Sequence, residues 1–397
     1  MEIISDRVNR LSESATIAMA RKARELKSQG IDIISLSLGE PDFNTPDFIK
    51  DAGKEGIDKN FSKYMPVNGY QDLREAISNK FKRDNGIDYN TEQIVVSTGA
   101  KQSIANVVLS LINPGDEVIV PAPYWVSYAE IIKMAEGVPV FIDTSIKNDF
   151  KISPSELQGA ITNKTKMMIY SSPCNPSGSV YSKEELRSLA DVLVNYPSIT
   201  VLSDEIYEHI NFTGNYFSIG AFPDMYNQVV TINGVSKSFA MTGWRLGYIG
   251  APIHIAQACT KIQGQFTSGT SSISQRAAIA AVSANPSEIH EMRDAFLSRR
   301  DFILEELNKI KGININQPQG AFYVFPDVSA FFNKSYGNFT VTNSDQLAMY
   351  ILETAKVAVV TGNAFGSPNC IRISYASSMD KLKDAMDRIA IALNNLN

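Results

Sequence analysis

Cysteine is scarce in this chain: Cys174, Cys259 and Cys370 are three in number, far apart, and form no C-x-x-C pair. An odd, scattered set excludes a disulfide framework and a cysteine-rich zinc site, and it suits a reducing, cytoplasmic compartment. Histidine is as rare. His209, His254 and His290 are too dispersed in sequence to suggest a metal centre, so no metal is expected. Positive charge is not in excess either: 37 lysines and arginines face 42 acidic residues, a net charge of −5 with no long basic run. Neither nucleic acid nor a membrane is therefore expected as a main partner. No apolar stretch approaches the ~18 residues of a membrane span. The charged start, Met1-Glu-Ile-Ile-Ser-Asp-Arg-Val-Asn9, lacks the apolar core of a signal peptide. The nucleotide signatures G-x-x-x-x-G-K-[ST] and G-x-G-x-x-G are missing.

What is present is 397 residues with 44% hydrophobic and 20% charged content, an ordinary globular balance and enough chain for two or three domains. Short apolar runs recur through the middle, at 94–97, 117–120, 138–142, 167–170, 199–202 and 229–232. Helical spacing separates several of them. Ile104, Val107, Val108, Leu111 and Ile112 fall on one helical face before the breaker Asn113-Pro-Gly-Asp116. Strands alternating with helices predict an α/β fold, a mostly parallel sheet covered by helices. Past residue 290 the texture changes to a long charged helix (about 288–311), shorter strands at 320–325 and 371–375, and a final amphipathic helix. This reads as a smaller α+β domain, with 332–344 as a loop on it. The expected division is an N-terminal arm and helix (1–45, the helix at 15–29) packing with the small domain, a large domain (46–290) and a small C-terminal domain (291–397).

In open parallel sheets, ligands bind beyond the carboxyl ends of the strands, so the residues at those ends carry the functional reading. Lys237 follows the apolar run 229–232 in a small-residue turn, where poor solvation lowers an ammonium pKa and favours the nucleophilic amine. Eight residues later Arg245 offers a planar fork suited to phosphate. A lysine beside an anion clamp points to a carbonyl cofactor with a phosphate tail, which pyridoxal phosphate satisfies; a surface lysine in a turn is the alternative. Thr98-Gly-Ala-Lys101 opens a helix whose first amides, at Gly99, Ala100 and Lys101, either face a phosphate or form a plain strand-to-helix turn. Pro173-Cys-Asn-Pro-Ser-Gly178 either aims the Asn175 amide or merely starts a turn. Asp204, directly after an apolar strand, needs a partner such as a protonated pyridine nitrogen, or else caps the next helix. Tyr207 stands three residues on, within reach of the ring's phenolic oxygen. Trp125 is a candidate to stack on a flat ring or to fill core. Arg372 interrupts an apolar strand and requires an anion, either a substrate carboxylate or a structural salt bridge.

With Gly99-Ala-Lys101, Asn175-Pro-x-Gly178, Asp204-x-x-Tyr207, Ser236-Lys237 and Arg245 in this order, the chain resembles the class I/II aminotransferases of PLP fold type I. The similarity runs from Leu38-Gly-Glu-Pro-Asp-Phe43 to Arg372. It looks closest to the bacterial branch of aspartate aminotransferases, through Lys63-Tyr-Met-Pro-Val-Asn-Gly-Tyr70, Pro123-Tyr-Trp-Val-Ser-Tyr128 and Phe239-Ala-Met-Thr-Gly-Trp-Arg245. The resemblance implies that Lys237 bonds covalently to the cofactor and then serves as general base and acid. It implies that Asp204 pairs with the ring nitrogen, that Asn175 and Tyr207 contact the ring oxygen, and that Trp125 stacks on the ring. Gly99 to Lys101, Ser236 and Arg245 would hold the phosphate, joined by Tyr64 from the partner subunit of a homodimer. Arg372, Asn175 and the backbone at Gly39 would grip the substrate α-carboxylate.

Two departures stand out. Gly234 occupies a place where many relatives carry a phosphate-binding hydroxyl, and no arginine lies in 263–274 to bind a distal carboxylate. In the resembling branch a lysine in the place of Lys101 takes that task. The expected reaction is L-aspartate plus 2-oxoglutarate giving oxaloacetate plus L-glutamate, with amino acids and 2-oxo acids as the small-molecule partners. Alternatives are a prephenate or aromatic aminotransferase, for which Thr16 is a plausible match, a β-lyase, and a non-catalytic PLP-binding regulator.

Overall fold

Successive side chains of a strand point to opposite faces, so a strand that is apolar at every position needs cover on both sides. Val118 and Val120 pack with Ile104, Val107 and Val108, whereas Ile119 between them packs with Leu186, Leu189 and Leu193. The computed structural model describes residues 3–337 and 339–397. Met1 and Glu2 of the expected arm, and Asn338 of the expected loop, lie outside the described residues. The central sheet has seven strands in the order Ile94–Ser97, Gly247–Gly250, Val229–Gly234, Thr200–Asp204, Thr165–Ser171, Glu117–Ala122 and Val138–Asp143. Six share one direction, and Gly247–Gly250 runs antiparallel to both its neighbours. The mostly parallel, helix-covered sheet expected from the sequence is the one observed. Each of the three leucines under it is at most 1% exposed. Truncating one to alanine would cost about 2–5 kcal/mol.

The antiparallel strand Gly247–Gly250 was not anticipated. It holds only two apolar side chains between glycines, too few for a periodic signal. The glycines are needed because a Cβ at Gly234 would lie 2.9 Å from the Gly247 Cα, and one at Gly250 would strike Tyr89.

A second core gathers the helices His290–Asn308 and Met379–Asn394 with the three-stranded antiparallel sheet Val360–Thr361, Ile371–Ser374 and Tyr323–Val324. Three expectations here need correction. The long helix is shorter than 288–311, because a 3-10 turn at Pro286–Ile289 precedes it. The run 320–325 contributes only a two-residue strand, since the Gly320 and Ala321 amides bond to Gly178 and Ile210 instead. Within 332–344, Lys334–Tyr336 and Phe339–Val341 pair as an antiparallel hairpin rather than a loop. The helix Ala15–Ser28 buries Ala20 and Ala23, the latter in a cluster with Leu352 and Ala358. Just after it, Ile34–Ser35 pairs in parallel with Val357–Ala358, a strand partner the sequence did not reveal. Ile206, Tyr207 and Ile210 belong to the second core. The turn leaving the strand Thr200–Asp204 is therefore where the two cores meet.

Candidate active site

Strand ends that expose backbone need loops to cover them, and here those loops enclose a cavity of about 270 Å³. Its wall contains Gly39, Ala100, Lys101, Trp125, Asn175, Asp204, Tyr207, Ser236, Lys237, Arg245 and Arg372, so residues spread over more than 300 positions converge. Gly99 is not in the wall. It has φ 84° and precedes the helix Ala100–Leu111, with the Arg245 guanidinium packed against its Cα so that any Cβ would collide with it. Gly247 is equally constrained, because a Cβ there would lie 2.6 Å from the Gly99 carbonyl carbon. These close approaches bring Arg245 and the positive end of a twelve-residue helix to one spot beside the buried Ser236, an arrangement suited to an anion. Tyr64 is not in this cavity; it is 99% exposed. Gly234 is hemmed in by the Gly247 Cα and the Leu246 oxygen, both 2.9 Å from where a Cβ would stand, so a hydroxyl-bearing residue has no room there.

Lys237 donates from Nζ to the Gly39 carbonyl at 2.6 Å. Burial pulls its pKa down to about 8, with Arg372 and Arg245 adding to the fall and Glu40 and Asp204 opposing it. Asp204 is 5% exposed and has no cation within salt-bridge distance among the described residues. Its Oδ2 accepts from the Tyr128 hydroxyl at 2.6 Å and its Oδ1 from the Ile206 amide. Burial pushes its pKa up to about 6 against those two hydrogen bonds. No α-helix follows it, so it is not a helix cap. Arg372, 2% exposed, donates to Asn175 Oδ1 at 2.9 Å and to the Ser37 carbonyl at 2.5 Å. Its Nε finds no acceptor, and no carboxylate pairs with it among the described residues. The structural salt bridge weighed for it is absent from those residues. The guanidinium lies 4.6 Å from the Tyr323 ring and 4.8 Å from the Phe365 ring.

Tyr207 and Tyr323 bring their hydroxyls to 2.7 Å, and burial raises the pKa of both. Trp125 meets Tyr128 edge-on, with the Lys101 ammonium 5.0 Å from its ring. Lys101 has its pKa lowered by partial burial and then by Arg245. His209 faces Asp84 and Glu208 and does not line the cavity. Sequence reasoning missed Tyr128 and Tyr323. Tyr128 stands one helical turn after Trp125, a spacing that hints at a shared face; Tyr323 looked like any core aromatic.

The residues fit pyridoxal phosphate. A buried carboxylate without a cation suits a protonated ring nitrogen, a lysine with a depressed pKa suits an aldehyde, and the cradle of Arg245, Ser236 and the helix end suits a phosphate.

Comparison with known proteins agrees. The family model described as aminotransferase class I and II matches residues 31–389. An aspartate/prephenate aminotransferase of Nitrosomonas europaea is 48% identical over 98% of this chain and 100% of its own length. A Petunia hybrida protein named bifunctional aspartate aminotransferase and glutamate/aspartate-prephenate aminotransferase is 46% identical over 98% of this chain and 82% of its own. Among solved structures, aspartate aminotransferase from Rhizobium meliloti superposes with a TM-score of 0.96 at 38% identity, covering 99% of both chains. The Thermus thermophilus enzyme with maleate gives 0.93 at 38% identity, over 99% of this chain and 100% of that one. With residues 31–389 matched by the family model and nearly its full length aligned with these relatives, this chain belongs to the aminotransferase class I and II family.

Proposed function

We propose that this aminotransferase exchanges the amino group of L-aspartate with 2-oxoglutarate, giving oxaloacetate and L-glutamate. The observation that carries this reading is the pair of cations on one cavity: Arg372, buried and without a carboxylate partner among the described residues, and Lys101 over Trp125. A donor with two carboxylates answers both charges. The Thermus thermophilus relative was solved with maleate, itself a dicarboxylate.

Bound in the cavity, pyridoxal phosphate supplies the sink for the electron pair left when Cα loses its proton. The protein supplies the rest. Arg372, with Asn175 and the Gly39 backbone, orients the α-carboxylate. Lys237, its pKa lowered to about 8, would take the Cα proton and deliver it to the cofactor carbon that carried the aldehyde. Asp204 keeps a proton on the ring nitrogen, and Tyr128 holds Asp204 in place. Tyr207 and Asn175 would hold the ring oxygen, Trp125 would cover the ring, and Gly99, Ala100, Lys101, Ser236 and Arg245 would hold the phosphate.

The same reading includes a homodimer in which Tyr64, exposed in the single chain, completes the partner's phosphate site. It also includes a cytoplasmic location and the division into 1–45, 46–290 and 291–397. No helix among the described residues is long and apolar enough to cross a membrane. Prephenate as an amino acceptor is a second reading, favoured by Thr16, which lines the cavity near Ser14 at the start of an N-terminal helix.

Single-turnover absorbance changes decide between them. Aspartate and glutamate should convert the cofactor fastest among amino donors, and the amino-loaded enzyme should then be offered oxaloacetate, 2-oxoglutarate and prephenate. Slow conversion by both acidic donors beside fast conversion by phenylalanine would overturn the aspartate assignment.

A further inference from the structure

The turn after the strand Thr200–Asp204 has two sides. Asp204 and Tyr207 face the cavity, whereas Glu205 and Glu208 do not line it and are buried, at 0% and 4% exposure. Both carboxylates meet a single amide. Asn85 Nδ2 donates to Glu205 Oε2 at 2.9 Å and to Glu208 Oε2 at 2.7 Å. The Asn85 oxygen accepts from the Lys80 ammonium at 2.7 Å, and that ammonium also pairs with Glu208. Hydroxyls of Ser203 and Ser218 satisfy the other Glu205 oxygen.

Lys80 and Asn85 are five residues apart, and the chain between them is a π turn, Phe81–Asn85, closed by Gly86 at φ 68°. An α-helix aligns residues three and four apart, while the wider π turn aligns residues five apart and so returns the amide to the lysine. An amide nitrogen is the apt bridge because it carries two hydrogens, one for each carboxylate. Asp84, Glu208 and His209 are also close enough to hold a metal, but the Lys80 ammonium already stands against Glu208.

We propose that Asn85, locked by Lys80, is a positioning residue for the cofactor: by tying Glu205 to Glu208 from behind, it fixes the turn that presents Asp204 and Tyr207. The Glu205 amide still bonds to Ile232 of the neighbouring strand, and beyond it the turn's own amides close only short local bonds. The rear clamp therefore acts beside the second core and the Tyr323 hydroxyl, which hold the Tyr207 side chain, and sets the backbone between Asp204 and Tyr207.

The proposal rests on the cavity being a pyridoxal phosphate site. Its test uses the loaded protein with Asn85→Ala, with the milder Asn85→Ser, and with Leu189→Ala, a truncation in a core cluster that contains no cavity residue. Each is read for the cofactor dissociation constant, for the visible circular dichroism that reports how the ring is seated, and for Tm. Both Asn85 variants should weaken cofactor binding roughly tenfold, the scale on which loss of an outer hydrogen-bond partner loosens a site. They should also change the dichroism, while Leu189→Ala lowers Tm and changes neither. Asn85 variants that lose Tm but keep wild-type affinity and dichroism would reduce the clamp to a stability element and end the proposal. Should Asn85→Ala not fold, Asn85→Ser decides alone, because it retains one donor. A wild-type protein that gains no bound chromophore defeats the cofactor reading instead, so the two failures are distinct.

Discussion

Two sets of buried charges lie on either side of one turn, and they are built oppositely. Behind it, Lys80 pairs with Glu208, and Glu205, which has no cation within salt-bridge distance among the described residues and whose pKa burial raises to about 7, is held by Asn85 and two serine hydroxyls. In front, Asp204 and Arg372 are as deeply buried, yet neither has an opposite charge within salt-bridge distance among the described residues. Burying a charge is costly unless it is paired. The rear, matched set closes within the chain, through the Lys80–Glu208 pair and hydrogen bonds to both Glu205 oxygens, whereas the unmatched set meets its counter-charges only when a ligand brings a cation to Asp204 and an anion to Arg372. Satisfaction, more than burial or residue type, separates the frame from the site.

The largest break in this contrast comes at the covalent position. Lys237→Ala should lower turnover with aspartate by about 10⁴-fold, the upper range for losing a proton-transferring group, while leaving the protein folded. Near-normal steady-state rates would refute its role. On the matched side, Lys80→Met strands Glu208 and should cost about 3–5 kcal/mol of stability, as breaking a buried pair does; urea unfolding measures it, and an unchanged midpoint would dissolve the distinction. On the unmatched side the sign should reverse. Asp204 carries a pKa raised from 3.8 to about 6, so the folded apoprotein disfavours its charge. Stability is lost as pH rises from about 4 to 6, and above that Asp204→Asn should raise apoprotein stability by up to about 3 kcal/mol. That gain should vanish below pH 4, and a loss at pH 7.5 would contradict the account.

Lys101→Ala should lower kcat/KM for aspartate by roughly tenfold to a hundredfold, the range for one charge-assisted hydrogen bond, and leave monocarboxylic donors nearly untouched. Equal losses for both would remove it from distal-carboxylate binding. The gentlest probe is pH. Only the neutral Lys237 amine attacks an aldehyde, so the rate at which apoprotein takes up pyridoxal phosphate should rise with pH and level off above a midpoint near 8. Below that it should fall about tenfold per unit; stopped-flow absorbance giving a midpoint near 10 would mean that burial does not act on this amine.

Much of the site was legible because motif residues sit at strand ends, and strand ends could be read from apolar runs. Lys237, Asp204 and Asn175 follow from that logic, Arg372 from a charge interrupting an apolar strand, and the cavity contains each of them. What stayed hidden depends on contacts between distant segments. Tyr128 becomes informative only when its hydroxyl is found on Asp204, 76 residues away, and Tyr323 only when it meets Tyr207 across 116. The strand Gly247–Gly250 was silent because glycine gives no hydrophobic rhythm, although glycine is what its close packing demands. Asn85 left no trace because a π turn realigns residues out of the usual helical spacing.

The crowding at Gly99, Gly234 and Gly247 sets a limit on redesign. At the anion-holding end a side chain cannot be added at Gly234 or Gly247 without shifting neighbouring backbone, nor at Gly99 without displacing the Arg245 guanidinium. The opposite rim, where Lys101 remains open to solvent and Thr16 is only partly covered, is under no such constraint. Changes in substrate preference should therefore arise at that rim, while the phosphate end stays fixed.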